Sequence, residues 1–428
     1  MTWRGAALLA AAIAIIAAGA AAPVLVVVGA GLVLVVALAV VMDSHAAPGA
    51  SDIHAVREHD DLLSVGVDNA VTLRIATLRP AEATVREELP LQAHATADAW
   101  RTALPCTLHY SVHPTVRGEI HAGRTVLRIP GPLRLGWRQT AIGADDPMRV
   151  DADIAAVRVY EALARRGQLA ELGVRSMRLP SEGTEFERVR EAAPDDSLRS
   201  INWKATARTG RLMASELIPE RAQPVIVCVD HARLMGIGAG ELTKLDHALN
   251  AALLLLHVAL RSGDRAGLQL FADSVTARLP PRGGAAQLRR FLDTVRPLRP
   301  AETEADYARA FADFGHWQRR RALVVIFTDV LDAEQCDRLA RQCVHLRRQH
   351  LPLLVTVRDP ALDEAALREP RSSDDVYART VAAGVIADRD DSLQLLRRRG
   401  VDVIDADPRA LSPRVVNRYL EIKRRARL

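Results

Sequence analysis

The stretches "ALVVIF", residues 322–327, and "LPLLVTV", residues 351–357, contain no charged side chain. A strand with one face in water alternates apolar and polar residues, whereas a continuous apolar run indicates burial on both faces. Both faces are covered when helices pack on each side of a parallel sheet. The two stretches therefore predict an α/β domain with a mostly parallel sheet.

Apolar runs and helical patterns alternate around these two stretches. Strands separated by segments of helical length and period are typical of parallel sheets, so we predict one Rossmann-like α/β domain over residues 223–428. The predicted strands are 223–229, 266–271, 322–328, 351–357 and 401–404, with a short one near 275–279. The predicted helices are 241–262, 284–296, 304–317, 333–348 and 374–399, followed by a basic helix at the end of the chain.

Residues 61–150 have a two-residue period. Apolar Val71, Leu73 and Ile75 alternate with more polar neighbours, and the same period recurs at 133–137. Proline and glycine separate these runs, as they do between the strands of small antiparallel sheets. The pattern predicts an antiparallel, immunoglobulin-like β-sandwich.

The beginning of the chain is strongly apolar, with no charged residue over 5–42. This length is too great for one membrane span of about 20 residues and suits two, with Pro23 at the turn between them. We predict transmembrane helices at about 5–21 and 24–42. A cleaved signal peptide is the alternative, which Pro23 and the second apolar run disfavour. Arg4 and the α-amine favour a cytoplasmic N-terminus, and hence cytoplasmic soluble domains.

Composition limits the classes of partner. The chain has 57 Lys and Arg interleaved with 52 Asp and Glu, a net charge of +5, and no basic block, so nucleic acid is not a predicted partner. A mild positive excess suits an anionic membrane surface. The predicted division of the chain is two transmembrane helices at 1–42, a connector at 43–60, a β-rich domain at 61–150, a helix and charge-dense segment at 151–222, and the α/β domain at 223–428.

Motifs of catalysis are absent from the sequence: it contains no GxxxxGK[ST], HExxH or GxSxG. In an open parallel sheet, ligands bind beyond the carboxyl ends of the strands. Asp230 and Asp329 each follow a predicted strand, and Thr303 lies in a loop expected near the same rim. These oxygen ligands suit Mg²⁺, so the three residues are the candidate metal site.

The order of elements around these residues is similar to that of von Willebrand factor A domains, whose metal site has the pattern Asp-x-Ser-x-Ser, then Thr, then Asp. The resemblance assigns Asp230, Thr303 and Asp329 to that site. Ala232 and Leu234 stand where the family has its two serines. The resemblance therefore implies a degenerate metal site without an ion, and occupancy by Mg²⁺ is the alternative.

A positive charge is expected to replace the missing ion. Arg233 lies three residues after Asp230, and a guanidinium is able to bridge carboxylates. Our hypothesis is that Arg233 or Lys204 supplies the charge that Mg²⁺ supplies in intact sites.

The segment "GTEFERVREAAPDDSLRSINWKATARTGRLMASELIPER", residues 183–221, is polar and dense in charge. It resembles the signature of a bacterial membrane family known as domain of unknown function 58. Asn202 stands where that family usually has Asp. The residues in register with the family's pattern include Glu185, Phe186, Arg190, Asp196, Arg199, Trp203, Lys204, Arg208, Glu216, Glu220 and Arg221.

This segment has two physical interpretations. It forms either a charged docking surface for a partner or an internally paired strap between domains, in which Trp203 is a buried anchor. Charge-dense segments more often hold domains in register, so the strap is favoured, although the two roles are compatible.

The resemblance implies a function without catalysis. Members of the family have no established activity and commonly occur beside MoxR-type AAA ATPases and other von Willebrand A proteins. We therefore expect a non-enzymatic adaptor, without a cofactor, anchored in the bacterial cytoplasmic membrane and acting in the assembly or maturation of protein complexes. The alternatives are a metal-dependent adhesion protein and, less favoured, an unrecognised hydrolase that uses Asp230 and Asp329.

Overall fold

The computed structural model of the chain describes residues 1–19, 23–143, 146–174, 186–193, 201–218, 222–330 and 333–425. They form two compact units, the N-terminal unit, Met1–Asp151, and the C-terminal unit, Ala152–Leu428. Each has its own secondary structure and its own buried core.

The N-terminal unit begins with two helices, α1 (Trp3–Ala18) and α2 (Pro23–Ala46). Thr2 caps α1, and Pro23 is the first residue of α2, where a proline costs no hydrogen bond. Gly29 brings the helices together, because a Cβ there would lie 2.5 Å from Ile16 Cγ1. Within the described chain, one stretch, Pro23–Asp52, is long and apolar enough to cross a membrane, and a signal sequence passes the same test.

The rest of this unit consists of three small sheets with strand orders β1-β3-β7-β5, β10-β9-β4-β6 and β2-β11-β8. All pairs are antiparallel except β2 with β11. The strands are β1 (Ile53–His59), β2 (Leu63–Ser64), β3 (Asn69–Thr77), β4 (Ala81–Glu87), β5 (Ala93–Ala95), β6 (Ala99–Leu104), β7 (Cys106–Pro114), β8 (Gly118–Ala122), β9 (Thr125–Pro130), β10 (Trp137–Ile142) and β11 (Asp146–Asp151).

The alternating pattern located this core correctly at β3, where Val71, Leu73 and Ile75 are buried while Arg74 is exposed. Two details of the prediction are wrong. Strand β1 lies inside the predicted connector, 43–60. Residues 133–136 form a turn before β10, because the backbone N–H groups of Leu133, Leu135 and Gly136 bind the Asp43 side chain of α2 instead of a neighbouring strand.

The C-terminal unit contains a six-stranded sheet of order β18-β17-β14-β19-β20-β21, parallel except for β18. This confirms the predicted sheet of mostly parallel strands. The sheet strands are β14 (Pro224–Asp230), β17 (Arg265–Phe271), β18 (Val275–Arg282), β19 (Leu323–Phe327), β20 (Leu351–Val357) and β21 (Asp402–Ala406), and two short strands, β15 (Gly238–Ala239) and β16 (Leu242–Thr243), form a separate hairpin.

Helices cover both faces of this sheet, as the continuous apolar runs predicted. Along β14, Val225 and Val227 belong to one buried cluster, and Ile226 and Cys228 belong to a second cluster on the opposite face. Helix α9 falls where no helix was predicted. The helices are α3 (Ile154–Arg166), α4 (Trp203–Thr209), α5 (Lys244–Arg261), α6 (Ala285–Val295), α7 (Tyr307–Trp317), α8 (Ala333–Leu346), α9 (Pro360–Leu367), α10 (Ser373–Arg398) and α11 (Pro408–Arg424).

Candidate functional site

The carboxyl edge of the parallel sheet brings together two of the three predicted metal ligands. Strands β14 and β19 are neighbours, and Asp230 and Asp329 lie at their carboxyl ends, each only 1% exposed. Thr303 is exposed, and its backbone carbonyl accepts a hydrogen bond from Arg233 N at 2.9 Å. The edge is therefore a buried pair of acids with a surface loop beside it.

Asp230 is held by hydrogen bonds from its own neighbourhood. Its Oδ2 accepts from the Thr328 hydroxyl at 2.6 Å, and its Oδ1 accepts from the backbone N–H of Ala232 at 2.7 Å. The Tyr307 hydroxyl lies 2.9 Å from Thr328 Oγ1. Burial raises the pKa of Asp230 to about 6, despite these hydrogen bonds.

Asp329 contacts two buried cations. Lys244 Nζ lies 2.5 Å from its Oδ2, and Arg389 Nη1 donates to its Oδ1; the side chains of Lys244, Asp329 and Arg389 are 3%, 0% and 9% exposed. Lys244 is the first residue of α5, where a positive charge opposes the helix dipole. Its pairing with Asp329 offsets that cost, so the lysine is held at this position by tertiary contact.

Acidic and basic side chains alternate along a series of contacts that leads from Asp329 to Arg358. Arg389 Nη2 donates to Asp405 Oδ1 and to the Val357 carbonyl, both at 3.1 Å. Asp405 also binds the Arg358 guanidinium at 2.6 Å. Burial disfavours the charge on Arg389, but the two acids outweigh it and raise the pKa of the guanidinium. The carboxyl-edge cluster consists of Lys244, Asp329, Arg389, Asp405 and Arg358.

This cluster corrects the hypothesis about the missing ion. Arg233 is 60% exposed at its side chain and lies 3.6 Å from Glu304, and Lys204 is exposed on α4. Lys244 and Arg389 supply the positive charge next to Asp329. Over the residues that the structure describes, no group of three or more His, Cys, Asp or Glu side chains is placed to hold a metal ion.

Sequence patterns contain a signal for one of the missed residues. Arg389 lies on the stripe of α10 that also buries Ala382, Leu393 and Leu396, so it is a charge on an otherwise small or apolar face. A cation at such a position requires a buried acid as its partner. Nothing local marks Lys244, because its partner lies on a strand far along the chain.

The charge-dense segment forms a strand pair around a short helix. Strand β12 (Phe186–Glu191), which carries Phe186 and Arg190, pairs antiparallel with β13 (Met213–Ile218), which carries Glu216. Predicted residues that lie outside the described part of the chain are Glu185, Asp196, Arg199, Glu220 and Arg221.

Helix α4 presents three predicted residues to solvent. Asn202 caps it by accepting from Ala205 N at 2.9 Å, a role that Asp fills equally well. Trp203 is 64% exposed, so its prediction as a buried anchor is wrong. Lys204 and Arg208 are exposed beside it. Helix α4 has only seven residues and none of them is buried, so it offers no core in which the ring could pack.

The raised pKa of Asp230 predicts a dependence of stability on pH. Folding raises this pKa from its ordinary value of 3.8 to about 6, so the buried carboxylate costs stability above that range and not below it. We expect Asp230→Asn to raise the free energy of unfolding by about 3 kcal/mol at pH 8, since each pKa unit corresponds to about 1.4 kcal/mol. The gain should shrink as the pH falls from 6 to 4 and vanish below pH 4, as measured by urea unfolding at each pH.

Asp306→Asn is the control for this measurement, because Asp306 is an exposed helix cap at which no such gain is expected. A gain from Asp230→Asn that is equal at pH 4 and pH 8 would contradict the prediction.

Comparisons with solved structures give low similarity. BatB from Bacteroides thetaiotaomicron, a conserved hypothetical protein, has a TM-score of 0.30 and 11% identity, over 47% of this chain and 99% of BatB. A cohesin module from a Clostridium perfringens family 33 glycoside hydrolase has a TM-score of 0.16 and 9% identity, over 23% of this chain and 96% of the module. Such scores support no assignment of fold or function.

Similarity in sequence is more specific. Uncharacterized proteins Rv1480 of Mycobacterium tuberculosis and Mb1516 of Mycobacterium bovis are each 28% identical over 184 residues, which is 42% of this chain. The chain spans 57% of the length of these relatives. The resemblance noted from the charge-dense segment is confirmed over the middle of the chain: residues 188–370 match the family described as Protein of unknown function DUF58.

Proposed function

We propose that this protein is a membrane-anchored, non-enzymatic adaptor of the bacterial cytoplasmic membrane, with its soluble domains in the cytoplasm. Its proposed partners are a MoxR-type AAA ATPase and other von Willebrand A proteins, which it joins in the assembly or maturation of protein complexes. The observation that carries this proposal is the pairing of Asp329 with two buried cations, Lys244 and Arg389.

Open α/β sheets bind their ligands at the edge where Asp329 lies. An ion or a polar substrate at that edge would have to displace Lys244 or Arg389 from a nearly inaccessible contact. Displacing one partner of a buried ion pair leaves an uncompensated charge, which costs about 3–5 kcal/mol. The cluster thus favours a stable scaffold over an open binding site, and supports a function that the outer surface of the protein performs.

The α/β unit of this adaptor is proposed to be von Willebrand A-like, with a degenerate metal site and no cofactor. The adjacent ends of β14 and β19, marked by Asp230 and Asp329, support this arrangement. The loop of Thr303 also contacts Arg233 in the turn that follows Asp230.

The membrane anchor is proposed to be α2 together with α1. Both are apolar helices with exposed side chains along most of their length, as expected for surfaces that face lipid. The N-terminal end of α1 and the C-terminal end of α2 both contact the turn at residues 131–136. The two helices therefore form a hairpin whose open end lies at this turn.

Docking is proposed on α4. An exposed tryptophan beside two basic residues is typical of protein interfaces, in which Trp and Arg are enriched. The exposure of Trp203, with Lys204 and Arg208 nearby, favours a docking surface over an internal strap.

Purification from native membranes in mild detergent tests this function. We expect the tagged full-length protein to retain an AAA ATPase with a non-hydrolysable ATP analogue and to release it with ATP. The variant Trp203→Ala should retain at least ten-fold less ATPase than the wild type, because an interface hot spot contributes about 2 kcal/mol or more to the free energy of binding. The readout is quantitative mass spectrometry of the captured proteins.

Tyr377→Ala is the matched control, since Tyr377 is an aromatic residue of the same unit that is 74% exposed. Equal loss in both variants would argue against docking at α4, and capture without an ATPase would argue against the adaptor function. Tight calorimetric binding of Mg²⁺ to the full-length protein, abolished by Asp230→Ala, would favour the metal-dependent alternative.

A further inference from the structure

A cavity of about 440 Å³ opens in the N-terminal unit beside the first turn of α1. Its wall is rich in arginine, with Arg4 from α1, Arg101 from β6, Arg128 from β9 and Arg134 from the turn after β9. Glu82 is the one carboxylate among the described lining residues. The cavity is therefore a cationic site that four different elements build.

Strand register fixes two of these arginines on one face. Thr84 of β4 pairs with Arg101 on one side and with Arg128 on the other, and directly paired residues of antiparallel strands project to the same face. The Arg128 guanidinium also lies 4.9 Å from the centre of the Trp137 ring, and its Nε donates to Gln139 at 3.1 Å. These contacts pre-orient a planar donor towards the cavity.

Only part of this positive charge is compensated. Glu82 accepts a hydrogen bond from Arg134 Nη2 at 2.9 Å. Among the ion pairs of the described residues, none joins a carboxylate to Arg101 or Arg128. Guanidinium groups bind phosphate oxygens in a bidentate manner, so the ligand that matches this wall is a phosphate anion.

The source of that phosphate follows from where the apolar helices end. Thr2 N donates to the Leu135 carbonyl at 3.0 Å, while the Asp43 carboxylate accepts from the N–H groups of Leu133 and Leu135 at 2.7 Å. The start of α1 and the end of α2 thus meet at the turn that borders the cavity. In a membrane-anchored protein, this level is that of the lipid headgroups.

Exposed apolar side chains lie near the same turn, at the proposed level of the lipid headgroups. Trp3, which lines the cavity, is 77% exposed, and Leu133, the residue before Arg134 in the turn, is 65% exposed. Tryptophan is enriched at membrane–water interfaces because one part of its ring system is apolar and the other carries a hydrogen-bond donor.

We propose that this cavity binds the phosphate of an anionic phospholipid headgroup, with the acyl chains lying along α1. This inference rests on the proposed membrane anchor. Arg101 and Arg128 contact the phosphate, and Arg4 adds positive charge at the mouth. The anchor then selects its lipid neighbours as well as holding the protein at the membrane.

Native mass spectrometry of the full-length protein in mixed phosphatidylglycerol and phosphatidylcholine micelles tests this site. We expect selective retention of phosphatidylglycerol. The double variant Arg101→Gln/Arg128→Gln should reduce that selectivity roughly 25-fold, or about five-fold per arginine. Arg74→Gln/Arg79→Gln removes the same charge from exposed positions outside the cavity and should retain the wild-type selectivity.

Equal retention of the two lipids by the wild type, or an equal loss in both double variants, would overturn the site. So would a loss of inorganic phosphate binding in Arg101→Gln/Arg128→Gln with unchanged lipid selectivity, which would assign the cavity to a soluble anion. Extraction of membranes with alkaline carbonate separates the two proposals. Wild-type protein that resists extraction but lacks lipid selectivity contradicts only the lipid site, whereas extracted protein contradicts the anchor.

Discussion

Replacement of Arg389 with methionine is expected to lower the free energy of unfolding of the C-terminal unit by about 4 kcal/mol. The guanidinium contacts both Asp329 and Asp405, and the Asp329 side chain has no solvent exposure. Methionine fills similar volume without charge, so the loss reports the removal of one of the two cations that each carboxylate contacts. Such a loss is a large fraction of the stability of an ordinary domain.

Buried thiols provide a measurement specific to this unit. Cys228, Cys336 and Cys343 are fully buried in the C-terminal unit, whereas Cys106 belongs to the N-terminal unit and is partly exposed. In a Cys106→Ser background of the full-length protein, thiol labelling after a pulse in urea reports only the opening of the C-terminal core. The urea midpoint then gives the change in free energy.

Two further variants distinguish charge from packing. Arg358→Met removes a cation that also pairs with Asp405 but is 49% exposed, so we expect a loss below about 1 kcal/mol. Adding Lys244→Met to Arg389→Met should lower the stability further, since Lys244 is the other buried cation that contacts Asp329. A small effect of Arg389→Met, with no further loss on adding Lys244→Met, would contradict the role of Arg389 in neutralising Asp329.

Asp43→Ala is expected to speed amide exchange at Leu133, Leu135 and Gly136 about 100-fold, which corresponds to about 3 kcal/mol. All three N–H groups donate to the Asp43 carboxylate, which is 4% exposed. The contact is close because Gly131 has no side chain, and a Cβ there would lie 2.3 Å from Asp43 Cγ. Removing this single acceptor releases the turn from α2.

Hydrogen–deuterium exchange of the full-length protein in detergent measures this effect directly. Ser44→Ala is the neighbouring control, because the Ser44 hydroxyl donates to the Val41 carbonyl of the same helix at 2.8 Å. Unchanged exchange at the three amides in Asp43→Ala would show that α2 does not hold this turn.

The sequence predicted those features that depend on local pattern. Continuous apolar runs at 322–327 and 351–357 indicated strands covered on both faces, and the alternation at Val71 and Leu73 indicated a half-buried strand. The same logic placed Asp230 and Asp329 at one edge, since parallel strands end together. These inferences need no knowledge of distant contacts.

The partners of Asp329 required the tertiary structure. Lys244 is 85 residues before Asp329 and Arg389 is 60 residues after it, so no local pattern joins the three side chains. Arg233 is near Asp230 in sequence, yet its side chain points to solvent and pairs with Glu304. Proximity along the chain was a poor guide here, because the carboxyl edge assembles from four strands and two helices.

The turn at 131–136 has a consequence for the order of biosynthesis. Thr2 and Leu135, which meet through the Thr2 hydroxyl and the Leu135 carbonyl at 3.0 Å, are separated by 133 residues. At ribosomal speeds of about 5–20 residues per second, the first apolar helices exist for roughly ten seconds before that turn is synthesised. Any protein or lipid that receives α1 and α2 as they emerge therefore acts before the β-rich part is able to hold them.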